Sequence, residues 1–559
     1  MQNNNMVGRK QSKWDVWRIS SLVILCLFLF FVIYPMFRLF REAFTDSATG
    51  AFSLTNFKRF FTEPYYYSTF WNSMKVTLAS TIITMILGIG LAYVLNSYEI
   101  KGKHFVQFLM IITMLSPPFI SAYSWILLFG NQGVITSAIK SLFHIRAKFN
   151  IYGFNGILLV FVVKLTPYVY MYVNGALKKV DSSLLEAAES LGYHGLRRMM
   201  TVVIPLILPT ALAAALVSFA NAFADYGTPA LIGLNYQVMP TMVYSEYINE
   251  VSTNSNISSA MGVLMILFTL LLFIAQKCYI ARKTYAAGSV SRPIIPRKAR
   301  GFSNVMLHIF VYVISFFSML PQVTIIYVSF LNSNGLRFTG GFTFDNYIKA
   351  WKKASSAILN SYKLSFIAIA VIILLGLIIG YVTVRKKGPL ASMLDTCVMV
   401  PFIVPGAILG IMLIKTFNSG TFILTGTGLI IIVAYVMRRM MYTVRSSSAI
   451  LYQISPSLEE ASISLGYSPS KTFMRITGRL MLSGVLSGAV ISWIACINEL
   501  SSSLMLYNAN TKTMSIYIYL EASRGYLADA AGMAAIMCYS LIISVFLLMK
   551  LTGSKDITV

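Results

Sequence analysis

Two carboxylates at matched positions are the residues of this sequence best suited to bind a cation. Asp225 and Glu499 lie 274 positions apart, and each follows closely on a long apolar run. An ionisable side chain near a membrane-length apolar segment is costly unless it faces water or a partner, so it is a functional candidate. With the neighbouring phenol of Tyr226, these carboxylates offer the oxygen ligands that hard metal cations prefer. The alternative interpretation is that both carboxylates cap helix ends or contact a partner protein.

Basic residues also interrupt two of the apolar runs. Lys164 lies within the fourth run, and Arg438 and Arg439 lie within the tenth. A lysine in such a place can extend its charged end to the membrane surface or pair with an acid. The two arginines are consistent with the inner end of a helix. For all three residues, a position along a polar path is the alternative.

Enzymatic chemistry is not indicated. The four histidines lie in different connectors or at helix ends, and no two of the five cysteines form a CxxC pair. The sequence has no GxxxxGK[ST] phosphate-binding loop, so the chain is not expected to hold ATP itself. We therefore predict no catalytic residue, no tight metal site and no cofactor bound by this chain.

The composition is that of a membrane protein. Apolar residues make up 57% of the 559 residues and charged residues only 11%, with a mean hydropathy of +0.71. Soluble chains carry about a quarter charged residues. The apolar runs approach the roughly 20 residues that cross a bilayer, and continuous rather than alternating runs predict helices. The predicted fold class is an all-α integral membrane protein.

The net charge of +26 fits the same class. Lysines and arginines cluster in short connectors between apolar runs, which indicates membrane orientation rather than nucleic-acid binding. The first apolar run is long and lacks a small-residue cleavage site, so we expect a first membrane helix and not a removed signal. Both termini are then expected in the cytoplasm, with the chain in the inner membrane of a bacterial cell.

The apolar runs predict about twelve membrane helices. Pro117 with Pro118, and Pro401 with Pro405, predict kinks in the third and ninth of them. The twelve predicted helices cover residues 19–41, 73–97, 105–130, 153–176, 201–222, 258–281, 303–331, 362–384, 392–417, 421–444, 480–498 and 529–552.

The chain also repeats itself. NSMK (72–75) recurs as NSYK (360–363), and SLLEAAESLGY (183–193) recurs as SLEEASISLGY (457–467). Repeats in the same order indicate two homologous halves of six helices each, in parallel orientation. The predicted parts of the chain are a cytoplasmic N-terminal segment 1–18, a first half 19–281 (core about 73–281), a basic linker 282–302, a second half 303–552 (core about 362–552) and a cytoplasmic tail 553–559.

The longest repeat lies between the fourth and fifth helices of each half. We name residues 181–198 the first EAA segment and residues 455–472 the second. In the first, Ser182 or Ser183 can cap a short helix, and Gly192 can supply the left-handed residue that ends it. The sequence predicts an apolar stripe at helical spacing on this helix, formed by Leu184, Leu185, Ala188 and Leu191.

The two EAA segments carry a resemblance to a known family. Glu-Ala-Ala, three residues, Gly and an apolar stretch ending near Pro205 resemble the signature of type I ABC-importer permeases. The second copy departs from it at Gly478-Arg479, where the family has Leu-Pro. In the family this segment is the coupling helix, which docks in a groove of a cytoplasmic ATPase. The resemblance implies an ATPase-coupling role for Glu186, Ala187, Ala188, Gly192, Tyr193, Glu460, Ala461, Gly466 and Tyr467.

The finer resemblance is to fused, double-length ferric-iron permeases. FADYGTPALIG (223–233) and INELSSSLMLY (497–507) are similar to the outer segments of that family. The resemblance implies that Asp225, Tyr226 and Glu499 lie along the substrate path. Fused permeases for thiamine or 2-aminoethylphosphonate have similar plans and are the alternative.

The resemblance also implies partners and a mechanism. Two copies of a cytoplasmic ATPase would use ATP and Mg, and an extracytoplasmic binding protein, free or lipid-anchored, would deliver substrate for alternating access. Membrane lipid is the remaining partner, and nucleic acid is not expected. A twelve-helix secondary transporter is a more remote alternative, as is a structural or signalling membrane protein. The duplicated EAA segment discriminates against both.

Overall fold

A computed structural model describes residues 16–116, 118–131, 133–143, 151–178, 180–253, 256–281, 294–334, 338–386 and 388–552. The predicted N-terminal segment up to residue 15, the linker residues 282–293 and the predicted tail 553–559 lie outside the described residues. So do Pro117 and His144.

The described residues are almost entirely helical. Up to the linker the helices are α1 (Val16–Phe28), α2 (Tyr34–Ala43), α3 (Thr55–Thr62), α4 (Pro64–Ser97), α5 (Lys103–Leu115), α6 (Pro118–Phe129), α7 (Val134–Phe143), α8 (Phe154–Leu177), α9 (Ser182–Ser190), α10 (Gly195–Arg198), α11 (Ile204–Phe223), α12 (Gly227–Ile232), α13 (Met239–Thr253) and α14 (Ile257–Ala281).

The second half follows the same plan and adds a short hairpin. Its helices are α15 (Gly301–Ser329), α16 (Asp345–Arg385), α17 (Pro389–Ile403), α18 (Gly406–Phe417), α19 (Gly428–Gln453), α20 (Ser457–Ser464), α21 (Pro469–Thr472), α22 (Gly478–Ile497), α23 (Ser503–Leu506), α24 (Met514–Ser523) and α25 (Leu527–Thr552). Strands β1 (Leu331–Ser333) and β2 (Phe338–Phe342) pair in antiparallel orientation. The π-helical turns Leu29–Ile33, Met199–Val203 and Phe473–Thr477 lead into α2, α11 and α22.

The helices support the predicted membrane architecture. Nine helices in the described part of the chain are long and apolar enough to span a bilayer, and two bent pairs bring the number of such segments to as many as eleven. α19 is also long enough, but Arg438 and Arg439 interrupt its apolar run. The all-α class with about twelve membrane segments is therefore confirmed. α16 starts well before the predicted residue 362, but its backbone is not helical at Ala354 (φ −142°), so a kink separates its first polar turns from the apolar part.

The predicted proline kinks are present. α17 and α18 meet at an angle of 104°, with Pro401 inside the first helix and Pro405 between the two. α5 and α6 form the matching bent pair in the first half, with Pro118 at the start of the second helix. A proline cannot donate the helical hydrogen bond, so each helix turns where the proline occurs.

The chain divides into two compact units, and both take residues from the two sequence halves. The first unit comprises residues 1–37, 364–402 and 432–496. The second unit comprises residues 38–363, 403–431 and 497–559.

The first helix of each half packs against the other half. In the second unit, Thr113 and Ser124 of α5 and α6 donate to the carbonyl oxygens of Ser318 and Pro321 in α15, at 3.1 and 2.8 Å. In the first unit, Trp17 of α1 has its ring 4.4 Å from that of Tyr381 and 4.8 Å from that of Phe473. The halves are therefore interleaved at their first helices.

The repeat is visible in individual contacts. Ser73 accepts a hydrogen bond from the backbone N–H of Met239 at 2.8 Å, and Ser361 accepts one from Met514 at the same distance. Matched polar contacts of this kind identify the two halves as copies of one fold.

A glycine allows the second and fourth membrane helices to approach closely in each half. A Cβ placed on Gly88 would lie 2.6 Å from Val169, and a Cβ on Gly376 would lie 2.6 Å from Thr443. Small residues at such crossings allow helix backbones in membranes to pack together.

We predict that Gly88→Val destabilises the permease, because the added side chain overpacks the contact between α4 and α8. The expected cost is about 1–3 kcal/mol, seen as a lower unfolding midpoint of the detergent-purified protein on heating. Gly175→Val is the matched control, because a Cβ at Gly175 of α8 meets nothing within 4 Å. Equal midpoints for the two variants would contradict the packing argument.

Candidate functional site

The first EAA segment forms a short helix followed by a turn. α9 covers nine residues, and the side chain of Asp181 accepts a hydrogen bond from the N–H of Ser183 at 3.0 Å. The cap is therefore Asp181 and not Ser182 or Ser183, so the predicted cap was wrong by one position. A carboxylate suits this place, because helix N-termini favour negative charge.

A left-handed glycine ends the helix in both EAA segments, as predicted for Gly192. Gly192 has φ +84° and Gly466 has φ +92°. The next residue closes the turn, since the N–H of Tyr193 donates to Ala188 at 2.9 Å and that of Tyr467 donates to Ser462 at 3.2 Å. This six-residue closure satisfies carbonyl groups that the helix end leaves free.

The two EAA segments expose matched leucines. Leu184 and Leu458 are 48% and 47% exposed, and Leu191 and Leu465 are 77% and 80% exposed. Of the four residues in the predicted apolar stripe, Leu185 and Ala188 are buried, whereas Leu184 and Leu191 are exposed. α9 therefore packs one side on its own chain and exposes apolar side chains on the other.

The predicted coupling residues divide between these two sides. Most of them are exposed, namely Glu186, Ala187, Gly192, Glu460, Ala461, Gly466 and Tyr467. Ala188 is buried and Tyr193 is half-buried. The side chain of His194, in the same segment, is 67% exposed.

A largely shielded acid fixes the second EAA segment to the end of α16. Glu459 accepts a hydrogen bond from Arg385 at 2.9 Å and one from Tyr381 at 3.0 Å. Arg385 also donates to the carbonyl oxygen of Ile454 at 2.7 Å. The side chains of Arg385 and Glu459 are 14% and 13% exposed, so this ion pair is largely shielded from water.

A different acid fixes the first EAA segment. Glu189 pairs with Arg198 at 3.4 Å and with Arg297 at a shorter distance, and Arg198 donates to the hydroxyl of Tyr93 at 3.2 Å. The hydrogen bond from Arg297 holds the pKa of the Glu189 carboxyl below its usual value. Sequence reasoning missed both acids. One signal in the sequence could have indicated these supports. Tyr93 and Tyr381 are as far apart in the chain as the repeated NSMK and NSYK, so they occupy equivalent positions in the two halves.

Asp225 is paired rather than free. Its Oδ2 accepts from the ammonium of Lys164 and from the hydroxyl of Thr228, both at 2.9 Å, and its Oδ1 accepts from the N–H of Thr228 at 3.3 Å. Lys164 therefore pairs with an acid, one of the two roles proposed for it from the sequence. Glu499 has the same local role, since its Oε1 accepts from the N–H of Ser502 at 3.1 Å. Both carboxylates bond to the short helix or turn that follows them.

Tyr226 lies in a cluster of phenols supplied by both halves. Its hydroxyl lies 3.0 Å from that of Tyr519, and its ring lies 4.9 Å from that of Tyr244 and 5.9 Å from that of Tyr519. Tyr244 in α13 and Tyr519 in α24 occupy equivalent positions in the two halves, 275 residues apart. The sequence offers no reason to connect these two tyrosines with Tyr226, because three separate helical segments bring them together.

The described residues contain no group of three or more His, Cys, Asp or Glu side chains arranged to hold a metal ion.

Known proteins resemble the chain over most of its length. FbpB, the ferric transport system permease protein of Actinobacillus pleuropneumoniae, is 27% identical over 537 residues, which cover 94% of this chain and 77% of that protein. The Fe(3+)-transport system permease protein FbpB 2 of Haemophilus influenzae is 24% identical and covers 86% of this chain and 89% of that protein. The spermidine/putrescine permease PotB of Haemophilus influenzae is 25% identical and covers 46% of this chain and 92% of its own length.

The sequence profile of one family matches both halves. It is described as the binding-protein-dependent transport system inner membrane component, and it matches residues 84–285 and 372–553. The two matches include both EAA segments and most of the membrane helices. The chain is therefore a multi-pass membrane protein that belongs to the family of binding-protein-dependent transport system inner membrane components, with one copy of the family's domain in each half.

Proposed function

We propose that this chain is the permease subunit of an ATP-driven importer whose cargo is ferric iron. The observation that carries the ATP-coupling part of the proposal is the pair of EAA segments, which expose the same two leucines to nearly the same extent. When two homologous segments expose an apolar residue at the same position, a partner protein that contacts both segments is the favoured explanation. A dimer of cytoplasmic ATPase subunits has the two equivalent surfaces that such a pair requires.

The ATPase has to be a separate protein. The sequence lacks a phosphate-binding loop of the Walker type, so ATP and Mg would be held by the partner. Both EAA segments and both termini then lie in the cytoplasm. An extracytoplasmic binding protein, free or lipid-anchored, would deliver the cargo on the opposite side.

Ferric iron is the cargo that the relatives and the chemistry of the chain favour together. Two relatives that span most of this chain are named for ferric transport. The phenol cluster of Tyr226, Tyr244 and Tyr519 offers hard oxygen donors, which suit a small, highly charged cation. Asp225 and Glu499 complete the proposed path. Each accepts a hydrogen bond from the backbone of the turn that follows it and so holds that turn in place.

The mechanism we propose is alternating access. Closure of the ATPase subunits on ATP draws the two EAA segments together and opens the cavity outward. Hydrolysis reverses this movement and releases the ion to the cytoplasm. The permease contributes binding and movement, and ATP supplies the free energy.

Charge placed on the exposed leucines tests ATPase docking. We expect Leu191→Asp with Leu465→Asp to weaken ATPase binding by about tenfold or more, because an interface of this kind depends on a few apolar anchors. Pull-down of the ATPase from detergent solution measures it. Leu54→Asp is the control, as Leu54 is 55% exposed and lies outside the EAA segments. Unchanged binding by the double variant would remove the basis for the coupling assignment.

The left-handed glycines give a second test of coupling. Valine strongly disfavours a positive φ, and a Cβ at Gly192 or Gly466 would meet nothing within 4 Å, so Gly192→Val with Gly466→Val strains the turns without a clash. We expect normal membrane insertion, retained ATP hydrolysis and an uptake rate reduced by about tenfold or more. Normal uptake in proteoliposomes would count against the assignment.

The cargo is tested by uptake and by spectroscopy. Vesicles containing the permease, its ATPase and its binding protein should accumulate radiolabelled ferric iron on ATP addition, and excess spermidine, thiamine or 2-aminoethylphosphonate should not compete. Tyr226→Phe should lower iron uptake several-fold and weaken any visible phenolate-to-iron absorption of the loaded protein. Tyr526→Phe, an exposed tyrosine outside the cluster, is the control. Competition by one of the organic solutes would identify a different cargo.

A further inference from the structure

The end of the linker runs beside the end of α4. The N–H of Arg297 donates to the carbonyl oxygen of Ser97 at 3.0 Å, and the N–H of Glu99 donates to the carbonyl oxygen of Arg297 at the same distance. Tyr98 and Arg297 form an isolated parallel bridge. These two backbone hydrogen bonds hold Arg297 in place, although it lies at the surface.

From this position the side chain of Arg297 reaches the first EAA segment. Its guanidinium donates to Glu189 of α9, on the same carboxylate oxygen that Arg198 contacts. Arg198 is 8% exposed and connects Glu189 to Tyr93 of α4. Glu189 is therefore held from two directions, and one of them is the linker.

In the second half, the arginine that holds the EAA segment comes from a membrane helix and not from a linker. Counting from the repeated asparagines Asn72 and Asn360, Tyr93 corresponds to Tyr381 and Ser97 corresponds to Arg385. Both tyrosines take part in holding the EAA segment of their half. The guanidinium of Arg385 comes from the transmembrane helix itself, whereas the first half has a serine at that place.

We propose that Arg297 replaces, in the first half, the arginine that Arg385 supplies in the second, so that the linker is a working part of the first EAA segment. The linker backbone bonds to Ser97, the residue equivalent to Arg385. The acid that the arginine contacts also differs between the halves. Counting from the repeated EAA sequences, Glu459 corresponds to Leu185, and the first half uses Glu189 instead. Arg297 is thus a positioning residue, and it acts through Glu189.

The arrangement connects the halves at the EAA segments. Arg297 lies four residues before α15, the first helix of the second half. In the other direction, Trp17 at the start of α1 packs against Tyr381 and Phe473 beside the second EAA segment. The residues just before α15 therefore contact the first EAA segment, and the start of α1 contacts the tyrosine that supports the second.

Amide hydrogen exchange of the complete purified permease tests the positioning role directly. We expect Arg297→Ala to speed exchange at residues 184–193 about two- to fivefold, because a half-exposed ion pair contributes a modest stabilisation. Lys298→Ala is the matched control. Lys298 is the adjacent linker cation, and it contacts Glu99 at 3.9 Å with both side chains exposed. Equal exchange in the two variants would overturn the proposal.

Two further variants separate a specific pair from a general loss of charge. Glu189→Gln should speed exchange as much as Arg297→Ala or more, since Glu189 has two arginine partners, and adding Arg297→Ala to it should change little further. Fully additive effects would show that the two residues do not act together and would overturn the proposal. Arg385→Ala should speed exchange at residues 458–467 and leave residues 184–193 unchanged.

The functional consequence rests on the proposed ATPase coupling. With ATPase and binding protein present, Arg297→Ala should lower uptake per ATP hydrolysed, and Arg297→Lys should restore part of it because the charge returns without the forked geometry. The exchange measurements need no ATPase, so failure of the unsubstituted permease to bind one would refute the proposed function while exchange still decides the role of Arg297. Full coupling in Arg297→Ala together with unchanged exchange would refute the linker proposal alone.

Discussion

The cost of placing charge or unpaired backbone groups in hydrocarbon is the constraint on which this structure depends. Helices satisfy their own backbone, so the apolar segments are helical. Lys164 and Asp225 meet the constraint by pairing at 2.9 Å, with side chains 12% and 6% exposed. Removing one of the two would leave a buried charge without compensation, at a cost of about 3–5 kcal/mol. The carboxylate that the sequence offered as a cation ligand is thus first a structural element, which holds Thr228 at the turn between α11 and α12.

The two halves satisfy the same requirements with different residues. Gly88 and Gly376 give the same close helix contact, but against Val169 in one half and Thr443 in the other. The EAA segments differ more, since their anchoring acids lie on different turns of the helix. The two halves have diverged independently, so the helix contact and the support of the EAA segment are retained although the residues that make them differ. A fused chain also has a linker, which separate subunits lack, and here Arg297 of the linker contacts the first EAA segment.

Much of the fold could be predicted, because its signals are local. Apolar length predicted the membrane helices, the prolines predicted both bent pairs, and Gly192 predicted the left-handed turn. The supporting contacts could not be predicted, because Glu189 meets arginines that lie 9 and 108 residues away in the chain. The exposure of Leu191 was also unpredictable from helical spacing, since periodicity shows which residues share a side and not whether a neighbour covers it.

The length of the EAA helices explains why such supports are needed. Helices of nine and eight residues are too short to be stable on their own in water. An element that transmits movement must nevertheless be stiff, or a push on one side is absorbed by local bending. Glu189 and Glu459 attach each helix to the membrane domain on one side, while Leu184 and Leu458 remain exposed on the other. A short helix that is held by polar contacts on one side and exposes apolar side chains on the other can therefore pass an external displacement to the helices that hold it.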